Sequence, residues 1–397
     1  MFRAEDKVFA LHGKTPYRLK VAMPKSLAYE PSNALNAICP YFTMFPLEYP
    51  LRVLRNHRKE RPIVMDPFCG RGTTLFAARK LGFDAWGVDA SPVAVAVARA
   101  KLASCDVQAP LELARRLLAT TTASSQVPET DFFRSAFHPK VLTQLCVLRQ
   151  GLLSISRETS ASAMLRAAVL GCLHGPLSKT TENAGYFSNQ CPRTFAPKPD
   201  YAVRFWKERN LNAPLVDVIA VLERKLSRLR GHIEGGQSHF SRVHLGDSQK
   251  LKSFPAASRD FGVVVTSPPY YGMKTYVQDQ WLRNWFLGGA DTVDYAAGAQ
   301  LLHGGQSVFA ESLGKVWANM ATSRADDLHM YVRFGIIPSA AVDARELMLM
   351  SLEASGAPWR VVSTRKANAA DAGKRQAKQM QAASNAALEF DFHLQRK

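Results

Sequence analysis

Acidic residues are scarce in this 397-residue chain: 33 Asp and Glu stand against 51 Lys and Arg, a formal net charge of +18 at pH 7. An excess of that size argues against a charge-balanced surface. It is the footprint of a protein that binds a polyanion, with affinity driven by counterions released from phosphates. Long apolar runs are missing as well. None approaches the ~20 residues a membrane-spanning helix needs, so no membrane partner is expected. Residues 1–25 mix Glu5, Asp6, Lys7, Arg18 and Lys20 and lack the apolar core of a secretion signal. The six cysteines are scattered without a C-x-x-C pair, which fits free thiols in a reducing cytoplasm. Cys172-Leu173-His174 is too small a cluster to hold zinc, and no metal is expected. No internal repeat is present, and low complexity is confined to an Ala/Lys/Gln-rich stretch at 369–387.

What is present is enough for a real core, with 47% hydrophobic and 10% aromatic residues. At ~150 residues per unit the length suggests two or three units, or one domain carrying an insertion. After a weakly patterned arm (1–37), Pro40-Tyr41-Phe42-Thr43-Met44-Phe45-Pro46 makes an aromatic turn before a helix over 47–57.

Pro62-Ile63-Val64-Met65-Asp66 reads as a short buried strand. It runs into Pro67-Phe68-Cys69-Gly70-Arg71-Gly72-Thr73-Thr74 and then a helix. In such an arrangement glycines let a ligand approach the backbone, and the helix start offers free N–H groups. The third glycine of the dinucleotide fingerprint is absent, as is the G-K-[ST] of a phosphate loop, so a pyrophosphate is not the first expectation. A second strand over 84–89 ends in Asp89, placed to accept both hydrogen bonds of a ribose diol. Ser91 is the expected N-cap of the following helix.

From 106 to 240 the α/β rhythm breaks into a mostly helical insertion. Residues 110–260 carry 21 Lys/Arg against 12 Asp/Glu, half of the whole excess. Within it Arg193, Lys198, Arg204, Lys207 and Arg209 interleave with Phe195, Tyr201, Phe205 and Trp206. That mixture suits phosphate contacts with base stacking, and equally a small aromatic core with outward arginines.

The sheet pattern resumes at 242–248, ending in Gly246-Asp247. Val263-Val264-Val265-Thr266 then forms a buried parallel strand that stops against Ser267-Pro268-Pro269-Tyr270-Tyr271. Further strands are expected at 328–337 and 359–364, and the alternation of Leu388, Phe390, Phe392 and Leu394 with polar residues predicts an antiparallel strand near the sheet edge. The fold class is α/β: a doubly wound, seven-stranded, mostly parallel sheet with a helical insertion.

The pairing of Asp66-Pro67-Phe68-Cys69-Gly70-Arg71-Gly72-Thr73-Thr74 with Thr266-Ser267-Pro268-Pro269-Tyr270 resembles the S-adenosylmethionine-dependent amino-methyltransferases of DNA. Phe42 to Pro46, Asp89 and Gly246-Asp247 agree with it. The resemblance covers 38–105 and 241–397, which it marks as the catalytic domain, and implies a Rossmann-like class I methyltransferase fold. It implies that Phe45, Asp66, Phe68, Gly70, Gly72 and Thr73 hold the methionine part of S-adenosyl-L-methionine, Asp89 the ribose and Asp247 the adenine. Ser267, Pro268, Pro269 and Tyr270 would form the methyl-acceptor pocket, with Tyr271 beside the nucleic acid.

Double-stranded DNA is the implied partner, in a prokaryotic cytoplasm where the nucleoid is the substrate, and a cognate restriction endonuclease is compatible with it. Serine at the head of the four-residue motif leans toward cytosine N4, with adenine N6 as the alternative. Residues 106–240 are the expected target-recognition region. An RNA amino-methyltransferase and a binding protein with a degenerate catalytic core stay open as rivals. Carbon-5 methylation is disfavoured, because both proline-adjacent cysteines (Cys39-Pro40, Cys191-Pro192) stand in the order opposite to the Pro-Cys that chemistry uses.

Overall fold

Strand β4 (Phe261–Thr266) lies at the middle of a seven-stranded sheet and is buried along its whole length. The computed structural model describes residues 31–40, 46–121, 127–175, 185–191, 199–229, 240–272, 276–294, 304–336, 342–367 and 389–397. Besides β4 the sheet contains β1 (Ile63–Asp66), β2 (Ala85–Asp89), β3 (Ser241–Leu245), β5 (His329–Gly335), β6 (Trp359–Lys366) and β7 (Glu389–Arg396). The strand order is β3-β2-β1-β4-β5-β7-β6. The pairs β1–β2, β1–β4, β2–β3 and β4–β5 are parallel, whereas β7 runs antiparallel to both β5 and β6. The chain order reverses between β1 and β4, the switch point at which open α/β sheets bind ligands.

Period-two alternation divides the strands between two apolar clusters. Val64, Val263 and Val265 face one, and Met65, Val264 and Trp86 the other. The second cluster is closed by α11 (Gln306–Ala321) and α12 (Ala344–Ala354). The first is covered by α1 (Glu48–Asn56), α2 (Thr73–Leu81), α3 (Pro92–Leu102) and α10 (Tyr276–Phe286).

The helices of 106–240 extend this first layer. They are α4 (Gln108–Thr120), α5 (Asp131–Ala136), α6 (Pro139–Leu153), α7 (Ser160–Cys172), α8 (Pro199–Glu208) and α9 (Val218–Ser227). Helix α7 packs against α3, α4 and α9. Phe133 of α5 lies fully buried, its ring 4.7 Å from Trp285 and 6.0 Å from Trp281 of α10. The insertion therefore shares one apolar cluster with the sheet's helices, which holds it in a fixed relation to the strand ends.

Strand β7 is antiparallel and lies one strand in from the edge, between β5 and β6, as its alternation predicts; β6 is the outer, largely exposed strand. The β7 alternation reflects two different coverings: Phe392 and Leu394 enter the apolar cluster, while Glu389, Asp391 and His393 face polar partners. Helix α8 opens on Pro199, in the first turn, where a missing N–H costs nothing.

Candidate functional site

The carboxyl ends of β1, β2, β3 and β4 are cross-linked into one polar platform. Asp66 ends β1 fully buried, and its Oδ1 accepts from the Phe68 amide at 3.1 Å and from the Thr266 hydroxyl, at the end of β4, at 2.6 Å. The Thr74 hydroxyl, in the first turn of α2, donates to the Val265 carbonyl at 3.1 Å. Asp66 Oδ2 is buried and has no hydrogen-bond partner among the described residues. Burial pushes this carboxyl up to about 6, against the pull of the Thr266 and Phe68 donors.

The turn after β1 has two left-handed glycines with different purposes. Gly72 (φ 75°) has no room for a side chain, because a Cβ there would stand 2.8 Å from Ala98 Cβ. It seats the start of α2 against α3. Gly70 (φ 50°) faces open space, and the nearest atom to a Cβ would be the Phe68 carbonyl at 4.0 Å. Its amide donates to Asp89 Oδ2 at 2.8 Å, and Asp89 Oδ1 accepts from the Ser91 amide at 2.8 Å. Burial raises the Asp89 carboxyl as well, opposed by these two amides. Each Asp89 oxygen is thus pinned by one N–H and keeps a second lone pair. Thr73 is buried at the first position of α2, and Phe68 sets its ring edge-on to Trp317 at 6.3 Å.

Asp247 follows β3. Its Oδ1 accepts from the Gln249 amide at 3.0 Å, and the Gly246 amide donates to the Asp89 carbonyl at 2.9 Å. The Ser248 hydroxyl donates to the Pro67 carbonyl, fastening this turn to the glycine turn. Behind the platform the Lys101 ammonium, wholly buried, donates to Asn36 Oδ1 at 2.7 Å, and Arg71 donates to the Cys39 carbonyl at 3.2 Å. Burial, with Arg71 nearby, holds the Lys101 amine well below its usual range.

The acceptor turn leaves β4 at Ser267, half-buried, whose hydroxyl makes no hydrogen bond among the described residues. Pro268 is buried and Pro269 half-buried. The Tyr270 hydroxyl donates to the Glu389 carboxylate at the start of β7. Tyr271 bridges to Ile336 and sets its ring edge-on to Phe309 at 5.3 Å, so it packs with the core cluster beside β5.

Of the expected nucleic-acid contacts, Arg204 and Lys207 are exposed on α8 and Arg209 is exposed just past its end. Lys207 pairs with Asp131 at 2.9 Å, and the Arg209 guanidinium lies 4.2 Å over the Phe205 ring. Trp206 is core, its indole N–H donating to the Gln190 carbonyl at 2.8 Å. Phe45, Arg193 and Lys198 lie outside the described residues. Ser248 and Glu389 are site members that sequence reasoning did not single out. Their signal is long-range contact, which no local pattern carries.

A parallel sheet reversing between β1 and β4, with an open glycine turn and an acid closing β2, defines a Rossmann-like fold built to hold an adenosine-type cofactor. In comparison with known proteins, residues 22–100 match the model of the N6/N4 DNA methylase family. A Type II methyltransferase, M.MjaII of Methanocaldococcus jannaschii, is 33% identical over 79 residues, 20% of this chain and 15% of that protein. The chain therefore matches less than a sixth of that relative's length. Among solved structures, the rRNA methyltransferase AviRa of Streptomyces viridochromogenes aligns over 92% of both chains at 13% identity and a TM-score of 0.34. The [4+2]-cyclase SpnF aligns over 92% of this chain and 91% of its own at 9% identity and a TM-score of 0.35. Likeness at that level is too slight to bear on activity. Among the described residues, no helix is long and apolar enough to cross a membrane.

Proposed function

We propose that the chain transfers the methyl group of S-adenosyl-L-methionine to the exocyclic amine of a base in DNA, cytosine N4 in first place. The observation that carries this reading is the 2.6 Å hydrogen bond from Thr266 to Asp66, which joins the glycine turn and the Ser-Pro-Pro-Tyr turn at one end of the sheet. The residues fit the cofactor. Gly70 leaves an open approach, the buried Oδ2 of Asp66 is without a partner among the described residues, and Asp89 retains an acceptor site on each oxygen.

When bound against Asp66, Gly70 and Asp89, S-adenosyl-L-methionine would supply an electrophilic methyl on a sulfonium, and the proton that the methylated amine sheds would pass to water. An aromatic amine is a poor nucleophile because its lone pair is shared with the ring. The Ser267 hydroxyl and the Pro268 carbonyl accept its N–H groups, favour a more tetrahedral nitrogen and aim the lone pair. This is catalysis by orientation and electrostatics, without a covalent intermediate. Cys69, in the glycine turn, is buried with its thiol pushed well above the usual range, which suits packing rather than nucleophilic attack. The base must leave the duplex to reach the pocket, and Tyr270 is the ring on which it stacks. The insertion 106–240, with exposed Arg204, Lys207 and Arg209, is the part that grips the phosphate backbone and selects the target.

The test is incubation with methyl-labelled cofactor and either duplex DNA or RNA, followed by identification of the labelled nucleoside. N4-methylcytosine in DNA is expected. N6-methyladenine overturns the choice of base, label in RNA alone overturns the choice of nucleic acid, and tight binding without label identifies a degenerate core.

A further inference from the structure

We propose that Glu389 is a positioning residue of the acceptor pocket, holding the Tyr270 ring in its base-stacking orientation before a base arrives. The inference rests on the methyltransferase reading of that pocket. Three observations carry it.

The first is the contact itself. The Tyr270 hydroxyl donates to the Glu389 carboxylate across 119 residues of sequence, from the turn after β4 to the first residue of β7. A hydrogen bond to a carboxylate is among the stronger neutral-to-charged kinds, and with the hydroxyl fixed the ring loses its freedom to swing about the Cα–Cβ bond.

The second is that Glu389 is itself immobilised. It pairs with Gly335 of β5 on one side, and on the other its carbonyl accepts from the Ala367 amide at 2.8 Å, just past β6. Two residues on, Asp391 takes both a 2.7 Å and a 2.8 Å bond from the buried Arg333 guanidinium, which lies 4.3 Å over the Tyr49 ring. The start of β7 is thus clamped, so the carboxylate is a fixed point rather than a flexible partner.

The third is the backbone of the turn. Tyr271 bridges to Ile336, the residue after β5, and packs on Phe309. The chain on the C-terminal side of Tyr270 is anchored to the core, so the Tyr270–Glu389 bond spans two fixed stretches of backbone. Placement of a reacting group that is loose by about 1 Å can cost up to ~100-fold in rate.

The test uses the full chain with methyl-labelled cofactor and duplex DNA, comparing Glu389→Ala, Glu389→Gln, Tyr270→Phe and the double variant Tyr270→Phe/Glu389→Ala. Rates are normalised to active sites counted by cofactor binding. Glu389→Ala and Tyr270→Phe should each lower kcat on the order of 10-fold while cofactor Kd changes less than about twofold. Glu389→Gln, whose amide oxygen still accepts, should recover to within about threefold of the parent. The double variant should be no slower than the worse single variant, because both remove one contact.

A Glu389→Ala protein turning over at the parental rate overturns the proposal, as does a double variant whose loss is the product of the two single losses. A parent that methylates neither DNA nor RNA overturns the methyltransferase reading and this inference with it. A parent that methylates while Glu389→Ala is silent overturns this inference alone.

Discussion

The Thr266 hydroxyl donates to Asp66 Oδ1 at 2.6 Å, so the last residue of β4 helps to set the charge of the last residue of β1. The two strands are neighbours in the sheet and 200 residues apart in sequence. A buried carboxylate with few donors is costly, and each donor counts.

The first prediction concerns that carboxyl. Asp66 holds its proton to about pH 6 when folded and to 3.8 as an ordinary aspartate. Between these values the folded chain binds more protons than the unfolded chain. The contribution of Asp66 to stability is therefore full below the lower value and is lost, by about 3 kcal/mol, as pH rises through the upper one. Urea titrations at stepped pH should show this fall in the parent and not in Asp66→Asn. Cofactor affinity should climb over the same interval, as the carboxylate forms. Thr266→Val removes a donor to the ionised form, so that climb should move to higher pH, with affinity at pH 7 lowered on the order of 10-fold by calorimetry.

The second prediction separates the two glycines. Gly72→Ala forces a left-handed alanine whose Cβ meets Ala98 at 2.8 Å, and should lower stability by about 1–3 kcal/mol. Gly70→Ala meets nothing nearer than 4.0 Å and should cost about 1 kcal/mol for its backbone alone. Cofactor affinity should rank the other way, because only at Gly70 does the methyl group enter open space. Calorimetric unfolding and binding on the same samples decide it; equal affinity losses would place the cofactor elsewhere.

The third prediction comes from a histidine cluster at the opposite end of the sheet, against the end of α1. His57 shares a 3.0 Å hydrogen bond with the Tyr331 hydroxyl, and His329 meets His393 at 2.9 Å and Asp327 at 3.3 Å. Burial, helped by the neighbouring histidines, lowers His393 to about 4 and also lowers His57. Here the unfolded chain binds more protons below neutrality. This stability is present above the ordinary histidine value of 6.5 and is lost as pH falls through about 4, opposite in sign to Asp66. His393→Phe should flatten that acid limb in urea titrations while leaving the Asp66 limb in place.

How much of this was legible in the sequence depended on whether the cause was local. The Val263–Val265 run followed by two prolines gave β4 its bounds, because burial on both faces selects β-branched residues and proline ends a strand. Ser91 was readable as an N-cap, and its hydroxyl accepts from the Ala94 amide at 3.3 Å. The alternation of β7 marked an antiparallel strand near the sheet edge, but not which strands flank it. Nor were Ser248 and Glu389 readable: a serine after Gly-Asp and a glutamate opening a strand are commonplace, and their partners Pro67 and Tyr270 come close only in the fold. The aromatic–basic stretch on α8 divided along the helix. Trp206 turned inward while Arg204 and Lys207 turned out, as helical periodicity requires, and Arg209 follows exposed just past the helix end.

That outward face gives the last prediction. Lys207 and Arg209 make ion pairs with Asp131 and Glu208, all with exposed side chains, and pairs of that kind hold their partners weakly. A phosphate can therefore replace either carboxylate at little cost. Alanine at Arg204, Lys207 or Arg209 should weaken binding of duplex DNA on an unrelated sequence about as much as on a methylated target. Each should also reduce the slope of log affinity against log salt by about 1. Cofactor affinity and thermal stability should stay near parental, because none of the three side chains is buried. Fluorescence anisotropy at several salt concentrations measures the slope. An unchanged slope in the triple variant would move the DNA path off α8 and leave the basic excess of the insertion to another face.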